Sequence, residues 1–187
     1  MAAQIADGAL VLVGGQARSG KSTFVRALRQ ALERQGRAAV IVALDGWIIP
    51  VSLRAARAGF WGRHDRAAIA RALATMRRNP GIYDLPVYAR QTRATSPIRM
   101  RIEVDAASVI IAEGVSALAD PTWTTDADMR IFVRCPEVIR RQRLIGDYRA
   151  RGFSAAAVAA LLKSRMSDEF GLVESGVAIA DWIVTIS

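Results

Sequence analysis

Residues 15–22 have the types and spacing needed to hold a polyphosphate. The segment matches the pattern G-x-x-x-x-G-K-[ST], follows an apolar strand-like run and precedes a helical pattern. Its glycines let backbone N–H groups curve around an anion, and a helix that begins here points the positive end of its dipole at the same place. We expect Lys21 to reach the terminal phosphates and the Ser22 hydroxyl to bind Mg²⁺. The predicted phosphate-contacting residues are Gly15, Ala17, Arg18, Ser19, Gly20, Lys21, Ser22 and Thr23.

Two acidic residues come directly after strand-like runs of apolar residues. Asp45 follows residues 38–44, and a carboxylate there can accept the proton of an attacking hydroxyl group. Glu113 follows residues 108–112, where it can hold Mg²⁺ opposite Ser22. The alternatives are a turn or helix-capping role for Asp45, and a strand-end acid without a ligand for Glu113.

Aromatic and charged residues suited to binding a small hydroxyl-bearing molecule occur in two places. Trp47 can form a wall beside Asp45, and residues 83–90 form a segment that we interpret as irregular. Aromatic faces stack on ligands, whereas acidic and basic side chains orient hydroxyl groups. The alternative for residues 83–90 is a proline-bearing loop that packs on the core. The predicted acceptor-binding residues are Trp47, Tyr83, Asp84, Tyr88 and Arg90.

An arginine-rich helical segment, residues 138–152, can close over the phosphates. Helical spacing places Arg140, Arg143 and Arg151 near one face. Such arginines can neutralise the charge that develops during phosphoryl transfer, and a solvated surface role is the alternative for each of them. We interpret His64, the only histidine, as a capping or surface residue and not as a catalyst.

Strand-like and helix-like patterns alternate along the chain, which predicts an α/β domain with a mainly parallel sheet. The phosphate loop, Asp45, Glu113 and the arginine-rich segment each follow a predicted strand. Because ligands bind outside the carboxyl ends of parallel strands, these four features should meet at one edge. Strands are predicted at about 9–14, 38–44, 98–104, 108–112, 130–133 and 181–186. Helices are predicted at about 21–35, 65–77, 136–151 and 154–170.

Length and composition indicate one soluble domain over residues 1–187. Of these residues 52% are hydrophobic and 23% are charged. No apolar run reaches the ~18 residues of a membrane span, and the first eight residues lack the basic cluster of a secretory signal. Cys135 is the only cysteine, so an internal disulfide is excluded and a reducing cytoplasm is expected.

The net charge of +9 does not by itself indicate a nucleic-acid partner. The basic residues are spread along the chain without an aromatic-interleaved stripe, and a basic surface equally suits an enzyme that handles anionic ATP. A nucleic-acid-associated ATPase therefore stays only as an alternative. No membrane partner is expected, and a homo-oligomer is compatible with the sequence.

Taken together, these segments resemble the uridine kinase and phosphoribulokinase-like family of P-loop metabolite kinases. The matching pieces are residues 15–22, 45–47, 83–90, 109–114, 131–152 and 180–181. The resemblance implies a P-loop NTPase fold, with three α/β/α layers around a five-stranded, mainly parallel sheet and the phosphate-loop strand in the middle. It also implies ATP and Mg²⁺ as cofactors, Asp45 as the catalytic base, and a lid over about residues 136–153 that carries Arg143 and Arg151.

Some positions depart from the usual pattern of uridine kinases. Tyr88 stands where these usually carry a histidine, residues 47–48 replace a Phe-Tyr pair, and Gly146 and Phe153 stand where further lid arginines are typical. The resemblance implies ATP-dependent transfer of the γ-phosphate to a hydroxyl of a small metabolite, with a nucleoside, sugar, pantothenate or glycerate as the acceptor. A nucleotide-switched binding protein with slow hydrolysis is the alternative from another class.

Overall fold

The computed structural model, which describes residues 1–54, 59–89 and 94–186, is built around a five-stranded parallel sheet. The strands of the chain are β1 (Leu10–Gly14), β2 (Ala39–Ala43), β3 (Gly81–Ala89), β4 (Ala94–Val104), β5 (Val109–Glu113), β6 (Met129–Arg134) and β7 (Trp182–Thr185). The order across the main sheet is β2-β5-β1-β6-β7, and every neighbouring pair is parallel. This confirms the predicted sheet with the phosphate-loop strand in the middle.

Helices cover both faces of this sheet. The helices are α1 (Lys21–Glu33), α2 (Arg66–Arg78), α3 (Pro121–Thr124), α4 (Glu137–Ala150), α5 (Ala155–Arg165) and α6 (Gly171–Glu174). Of these, α1 packs on one face of the sheet and α2 and α3 on the other, whereas α4 and α5 share a separate apolar cluster. The carboxylate of Asp65 accepts a hydrogen bond from the backbone N–H of Ala68, so Asp65 caps α2. None of the helices within the described ranges is long and apolar enough to cross a membrane.

Strand β1 is buried on both faces because successive side chains of a strand point to opposite sides of the sheet. Leu10 and Leu12 pack into the hydrophobic cluster that includes the apolar faces of α2 and α3. Val11 and Val13 pack into the cluster that includes the apolar face of α1. The molecule therefore has the three layers that the sequence predicts, and the carboxyl end of β1 lies at the centre of one sheet edge.

Strands β3 and β4 form an antiparallel hairpin outside the main sheet. The interpretation of residues 83–90 as irregular is wrong for residues 83–89, which lie in β3, and Arg90 lies outside the described residues. Pro86 lacks a donor for strand pairing, and the register of the hairpin shifts between Pro86 and Tyr88. Asp84 and Pro86 are poor strand formers, and the strand depends on pairing with β4 farther along the chain, so the local sequence does not reveal it.

The helix predicted over residues 154–170 changes character before its end. Its α-helical part, α5, ends at Arg165, and Met166–Phe170 continues as a π-helical segment. Such segments widen the backbone by one residue per turn and are frequent at functional sites. Here the segment places Glu169 in a buried position.

Candidate active site

The phosphate loop occupies the turn between β1 and α1, at the centre of the carboxyl edge of the sheet. Gly15 and Gly20 adopt positive φ angles of 139° and 99°, and Arg18 does so at 67°. A Cβ built at Gly15 would collide with the carbonyl oxygen of Val133 on β6, so only glycine fits at this position. Gly20 is the N-cap residue of α1, and the loop therefore wraps around the amino terminus of a thirteen-residue helix.

The side chain of Lys21 folds back into this loop. Its Nζ donates hydrogen bonds of 2.9 Å to the carbonyl oxygens of both Gly15 and Gln16. Burial lowers the pKa of Lys21 from its ordinary value, since it penalises the charged ammonium, while the negative charges of Glu113 and Asp45 act in the opposite direction. The predicted lysine and both predicted acids thus lie within electrostatic reach of one another.

Ser22 and Glu113 face each other across the start of α1 and the end of β5. The hydroxyl of Ser22 donates to Glu113 Oε1 at 2.9 Å. Among the described residues no group of three or more His, Cys, Asp or Glu side chains could hold a metal ion. A serine and a carboxylate alone suit Mg²⁺, which keeps most of its ligands as water and phosphate oxygens. Thr23 follows in the first turn of α1, where its N–H donates to the Gly20 carbonyl.

Ser19 supplies a further sign that the loop is shaped for an anion. Its hydroxyl oxygen is buried and has no hydrogen-bond partner among the described residues. Buried hydroxyl groups are normally paired, so an unpaired one in a loop of this shape fits a phosphate oxygen as its missing partner.

Asp45 lies in a short 3₁₀ turn, Leu44–Trp47, that directly follows β2. Its Oδ1 is buried and has no hydrogen-bond partner among the described residues. The turn is held by the hairpin: a Cβ at Gly46 would collide with the carbonyl oxygen of Pro86, and the Thr95 hydroxyl lies within hydrogen-bond distance of the carbonyl oxygens of Gly46 and Ile48 (3.2 and 3.3 Å). The carboxylate is therefore positioned by two separate elements.

The predicted acceptor-binding residues divide into two groups in space. Tyr88 pairs with Thr95 at the end of the hairpin that contacts the Asp45 turn, and partly buried Trp47 belongs to that turn. The Tyr83 hydroxyl instead donates to the Asn79 carbonyl at the end of α2, and Asp84 is exposed beside it. The structure thus brings Trp47 and Tyr88 towards Asp45, and it does not bring Tyr83 and Asp84 there.

The arginine-rich helix α4 contacts the phosphate loop through Arg140. The guanidinium of Arg140 pairs with both carboxylate oxygens of Glu137 (2.7 and 2.8 Å), and its Nη1 donates to the carbonyl oxygen of Ala17 at 3.3 Å. Arg140 is buried, in contrast to the exposed Arg143, whose Nη1 lies 3.5 Å from Cys135 Sγ. Helical spacing predicts Arg140 and Arg143 on one face, but it does not indicate that Arg140 contacts the loop while Arg143 is exposed.

Asp147 connects the same helix to the tip of the loop. It forms an ion pair with Arg18 and a second one with Arg151, at 3.6 Å. Arg151 also stacks near the rings of Tyr148 and Phe153. Asp147 therefore links Arg18, a predicted phosphate-contacting residue, to Arg151, a predicted lid residue.

An ion-pair network centred on the buried Glu169 was not predicted from the sequence. Glu169 pairs with Arg63 at 3.3 Å and with Arg165 at 2.8 Å, and Arg165 donates to the Tyr148 hydroxyl at 2.9 Å. Arg63 also pairs with Asp168. Only the spacing of Arg165 and Glu169, four residues apart on a helix, could have signalled part of this network.

His64 lies inside the site and not on its surface. Its side chain is buried, its Nδ1 lies 3.4 Å from the Phe60 carbonyl oxygen, and its Nε2 has no partner among the described residues. Burial lowers the pKa of His64, and the negative charge of Asp45 is the strongest influence in the opposite direction. The interpretation as a capping or surface residue is wrong, because Asp65 is the cap and His64 packs inward.

A cavity of about 340 Å³ lies beside the phosphate loop, outside the ends of β6 and β7. Its walls include Gln16 and Ser19 of the loop, Cys135 and Arg140 near α4, and Thr185 of β7. Its volume falls in the range of small-molecule sites.

The fold and this loop define a P-loop nucleotide-binding protein. The sequence profile of the Phosphoribulokinase / Uridine kinase family matches residues 71–186, more than half of the chain, and the chain therefore belongs to this family of kinases. The matched region begins after the phosphate loop and Asp45, so the loop geometry and the family match are separate findings.

Solved kinase structures share the fold along nearly the whole chain. A candidate fructose transport system kinase from Silicibacter sp. TM1040 is similar with a TM-score of 0.77 and 21% identity, covering 95% of this chain and 89% of that one. A candidate uridine kinase from Bacillus stearothermophilus is similar with a TM-score of 0.69 and 17% identity, covering 97% of this chain and 90% of that one. The D-glycerate 3-kinase from Cryptococcus neoformans is similar with a TM-score of 0.68 and 13% identity, covering 91% of this chain and 80% of that one. No curated protein matches the chain in sequence.

Proposed function

We propose that the protein is an ATP-dependent kinase that transfers the γ-phosphate to a hydroxyl group of a small metabolite. The observation that carries the proposal is the buried, unpartnered Oδ1 of Asp45, within electrostatic reach of the phosphate-loop lysine. A buried carboxylate oxygen without a donor is costly, and an acceptor hydroxyl supplies that donor. Family membership supports the reaction class and leaves the acceptor open.

The phosphates of ATP belong in the loop, held by its backbone N–H groups and by Lys21, with the unpaired Ser19 hydroxyl as a further contact. We assign the base of ATP to the 340 Å³ cavity next to the loop. Ser22 and Glu113 would hold Mg²⁺, which neutralises phosphate charge when it is bound. The cytoplasm is the expected compartment for such an enzyme.

Asp45 acts as the base in the transfer. As the acceptor oxygen forms its bond to the γ-phosphorus, the proton of the hydroxyl passes to Asp45 Oδ1, and the bond from the γ-phosphorus to the β–γ bridging oxygen breaks to release ADP. Lys21 balances the charge on the phosphates, and Arg143 and Arg151 act from a lid over about residues 136–153. Exclusion of water by this lid prevents wasteful hydrolysis of ATP.

The acceptor is a hydroxyl-bearing metabolite that Trp47 and Tyr88 enclose. The similar structures are a candidate fructose transport system kinase, a candidate uridine kinase and a D-glycerate 3-kinase, so they leave the acceptor open. The resemblance of the motifs favours a uridine kinase-like acceptor, and a sugar, glycerate or pantothenate is the alternative. The sequence also predicts Tyr83, Asp84 and Arg90 for this role, but Tyr83 and Asp84 lie at the other end of the hairpin from Tyr88.

The test is ADP release from Mg·ATP in the presence of a panel of acceptors: uridine, cytidine, nicotinamide riboside, pantothenate, glycerate, fructose and pentose phosphates. We expect one of them to raise turnover far above the rate with water alone. Asp45→Asn should abolish the acceptor-dependent rate and leave ATP affinity nearly unchanged, because the amide cannot take the proton. Asp84→Asn, a matched change at an exposed carboxylate, is the control. ATP binding without stimulation by any acceptor would instead favour the nucleotide-switched binding protein.

A further inference from the structure

His64 is held next to the Asp45 turn by backbone pairing. The N–H of Asp65 donates to the Trp47 carbonyl at 3.0 Å, and the N–H of Ile49 donates to the Arg63 carbonyl at 2.8 Å. These bonds flank an isolated antiparallel bridge between Ile48 and His64. The position of the imidazole is therefore tied to the same turn that carries the proposed base.

The neighbour of Nδ1 favours one tautomer of the His64 ring. The Phe60 carbonyl oxygen can only accept a hydrogen bond, so the 3.4 Å contact favours the tautomer in which Nδ1 carries the proton. In the neutral ring Nε2 then carries a lone pair and can only accept. This Nε2 atom is buried and has no partner among the described residues.

The surroundings of His64 favour its neutral form. Burial is the largest effect on its pKa and lowers it. Asp45 and Glu169 oppose this effect with negative charge, the hydrogen bond to Phe60 opposes it as well, and the positive charge of Arg63 adds to it. The relative exposure of His64 is 5%, so its neutral imidazole is a desolvated acceptor at neutral pH.

We propose that His64 is a second acceptor-binding residue, whose Nε2 accepts a hydrogen bond from a hydroxyl group that is not the one Asp45 activates. Asp45 Oδ1 and His64 Nε2 are both buried hydrogen-bond acceptors without a partner among the described residues, so a bound ligand would have to supply a donor to each. A ligand with two hydroxyl groups satisfies both atoms, whereas a ligand with one leaves a desolvated nitrogen unpaired. The substrate class is therefore a di- or polyhydroxylated metabolite. This inference rests on the proposed kinase function.

The kinetic test compares acceptors that differ by one hydroxyl group. Uridine is paired with 2′-deoxyuridine and 3′-deoxyuridine, and D-glycerate is paired with 3-hydroxypropionate. For the wild-type protein we expect loss of one hydroxyl to reduce kcat/KM by about 10- to 100-fold. In His64→Leu we expect kcat/KM for the full acceptor to fall by a similar factor and kcat/KM for the deoxy analogue to change little. The variant then no longer discriminates between the two acceptors. His64→Gln, whose amide oxygen can accept, should restore part of it.

Phe60→Leu separates hydrogen bonding from packing. The Phe60 ring lies 5.2 Å from the imidazole ring, and this change removes the ring while keeping the backbone carbonyl that bonds Nδ1. A purely structural histidine predicts that Phe60→Leu and His64→Leu behave alike, with equal losses for both acceptors. We expect Phe60→Leu to lower thermal stability and keep the discrimination.

A second measurement does not depend on turnover. Because His64 is the only histidine, untagged protein with ¹⁵N-labelled histidine gives one imidazole spin system. We expect a protonated Nδ1 and an unprotonated Nε2, and a shift of the Nε2 signal on addition of uridine, D-glycerate or fructose to protein that holds a non-hydrolysable ATP analogue. An acceptor that is turned over without moving this signal, or with unchanged discrimination in His64→Leu, overturns the role of His64 and leaves the kinase proposal standing. If no acceptor is turned over and none shifts the signal, both proposals fail.

Discussion

Lys21 shows how a single side chain can prepare a site for a ligand. Its ammonium bonds two carbonyl oxygens of its own loop, so the loop is already curled before an anion arrives. Burial destabilises the charged ammonium, and the three carboxylates Glu113, Asp45 and Glu169 compensate part of this cost. A bound polyphosphate adds negative charge at the same place and should raise the pKa of Lys21.

Replacement of Lys21 should be far more damaging than replacement of the other lysine. We expect Lys21→Ala to reduce kcat/KM by at least about 100-fold, because charge stabilisation in a transfer site is of that size. Lys163→Ala is the control, since Lys163 is exposed on α5. Steady-state kinetics with circular dichroism checks both variants, and equal rates for the two would refute the phosphate-loop assignment.

The depressed pKa of His64 predicts a specific dependence of stability on pH. A histidine with a folded pKa below its unfolded value of about 6.5 binds more protons when unfolded, so folding loses stability as pH falls below about 6.5 and gains none above it. His64→Gln should remove this part of the acid sensitivity. Urea unfolding of both proteins between pH 5 and 8 measures it, and parallel curves over that range would contradict the assignment.

At the scale of elements, the hairpin β3–β4 acts as a clamp on the turn that carries Asp45. Pro86 leaves no room for a side chain at Gly46, and Thr95 contacts two carbonyl groups of the turn. The hairpin is thus part of the site's framework although its outer face is exposed. Its start, which holds Tyr83, is anchored separately to the end of α2.

Glycine replacements test this clamp. Gly46→Ala should destabilise the fold by about 1–3 kcal/mol through overpacking against Pro86, and should lower activity by displacing Asp45. Gly146→Ala, where a Cβ meets nothing within 4 Å in helix α4, should be neutral or stabilising by about 0.5–1 kcal/mol. Thermal unfolding compares the two, and a tolerated Gly46→Ala would show that the turn is not clamped.

At the scale of the whole molecule, a chain of contacts joins elements that are distant in sequence. Arg63 before α2, Glu169 in the π-helical segment, Arg165 on α5 and Tyr148 on α4 are linked one to the next. Glu169 lies at the centre, and its negative charge also acts on Lys21 and His64. Glu169 therefore links the segment before α2 to α5 directly, and to α4 through Arg165.

The Arg165–Glu169 and Arg29–Glu33 pairs have the same four-residue spacing, so a comparison of the two tests the energetic contribution of the network. Glu169→Gln should destabilise the protein by about 2–3 kcal/mol, because it removes the buried carboxylate that pairs with Arg165 and one of the two carboxylates that pair with Arg63. Glu33→Gln breaks the exposed pair with Arg29 and should cost less than about 0.5 kcal/mol. Denaturant unfolding measures both, and similar losses would mean that burial of Glu169 has little energetic weight.

Local patterns in the sequence predict the parallel sheet, the phosphate loop and the positions of Asp45 and Glu113, because strand ends and glycine turns are encoded by neighbouring residues. They do not predict the hairpin, since β3 becomes regular only by pairing with β4. The same holds for His64, whose burial depends on Phe60 and on the bridge to Ile48. The network around Glu169 needs three separate segments to meet, and a linear pattern carries no sign of it.

The backbone conformation of Arg18 and its ion pair with Asp147 connect helix α4 to the phosphate loop. Its left-handed conformation costs about 1–2 kcal/mol relative to the right-handed one, and its guanidinium pairs with Asp147 of α4. The helix therefore favours the loop shape that an anion also favours. By thermodynamic reciprocity, the factor by which the Arg18–Asp147 pair raises phosphate affinity equals the factor by which bound phosphate strengthens that pair.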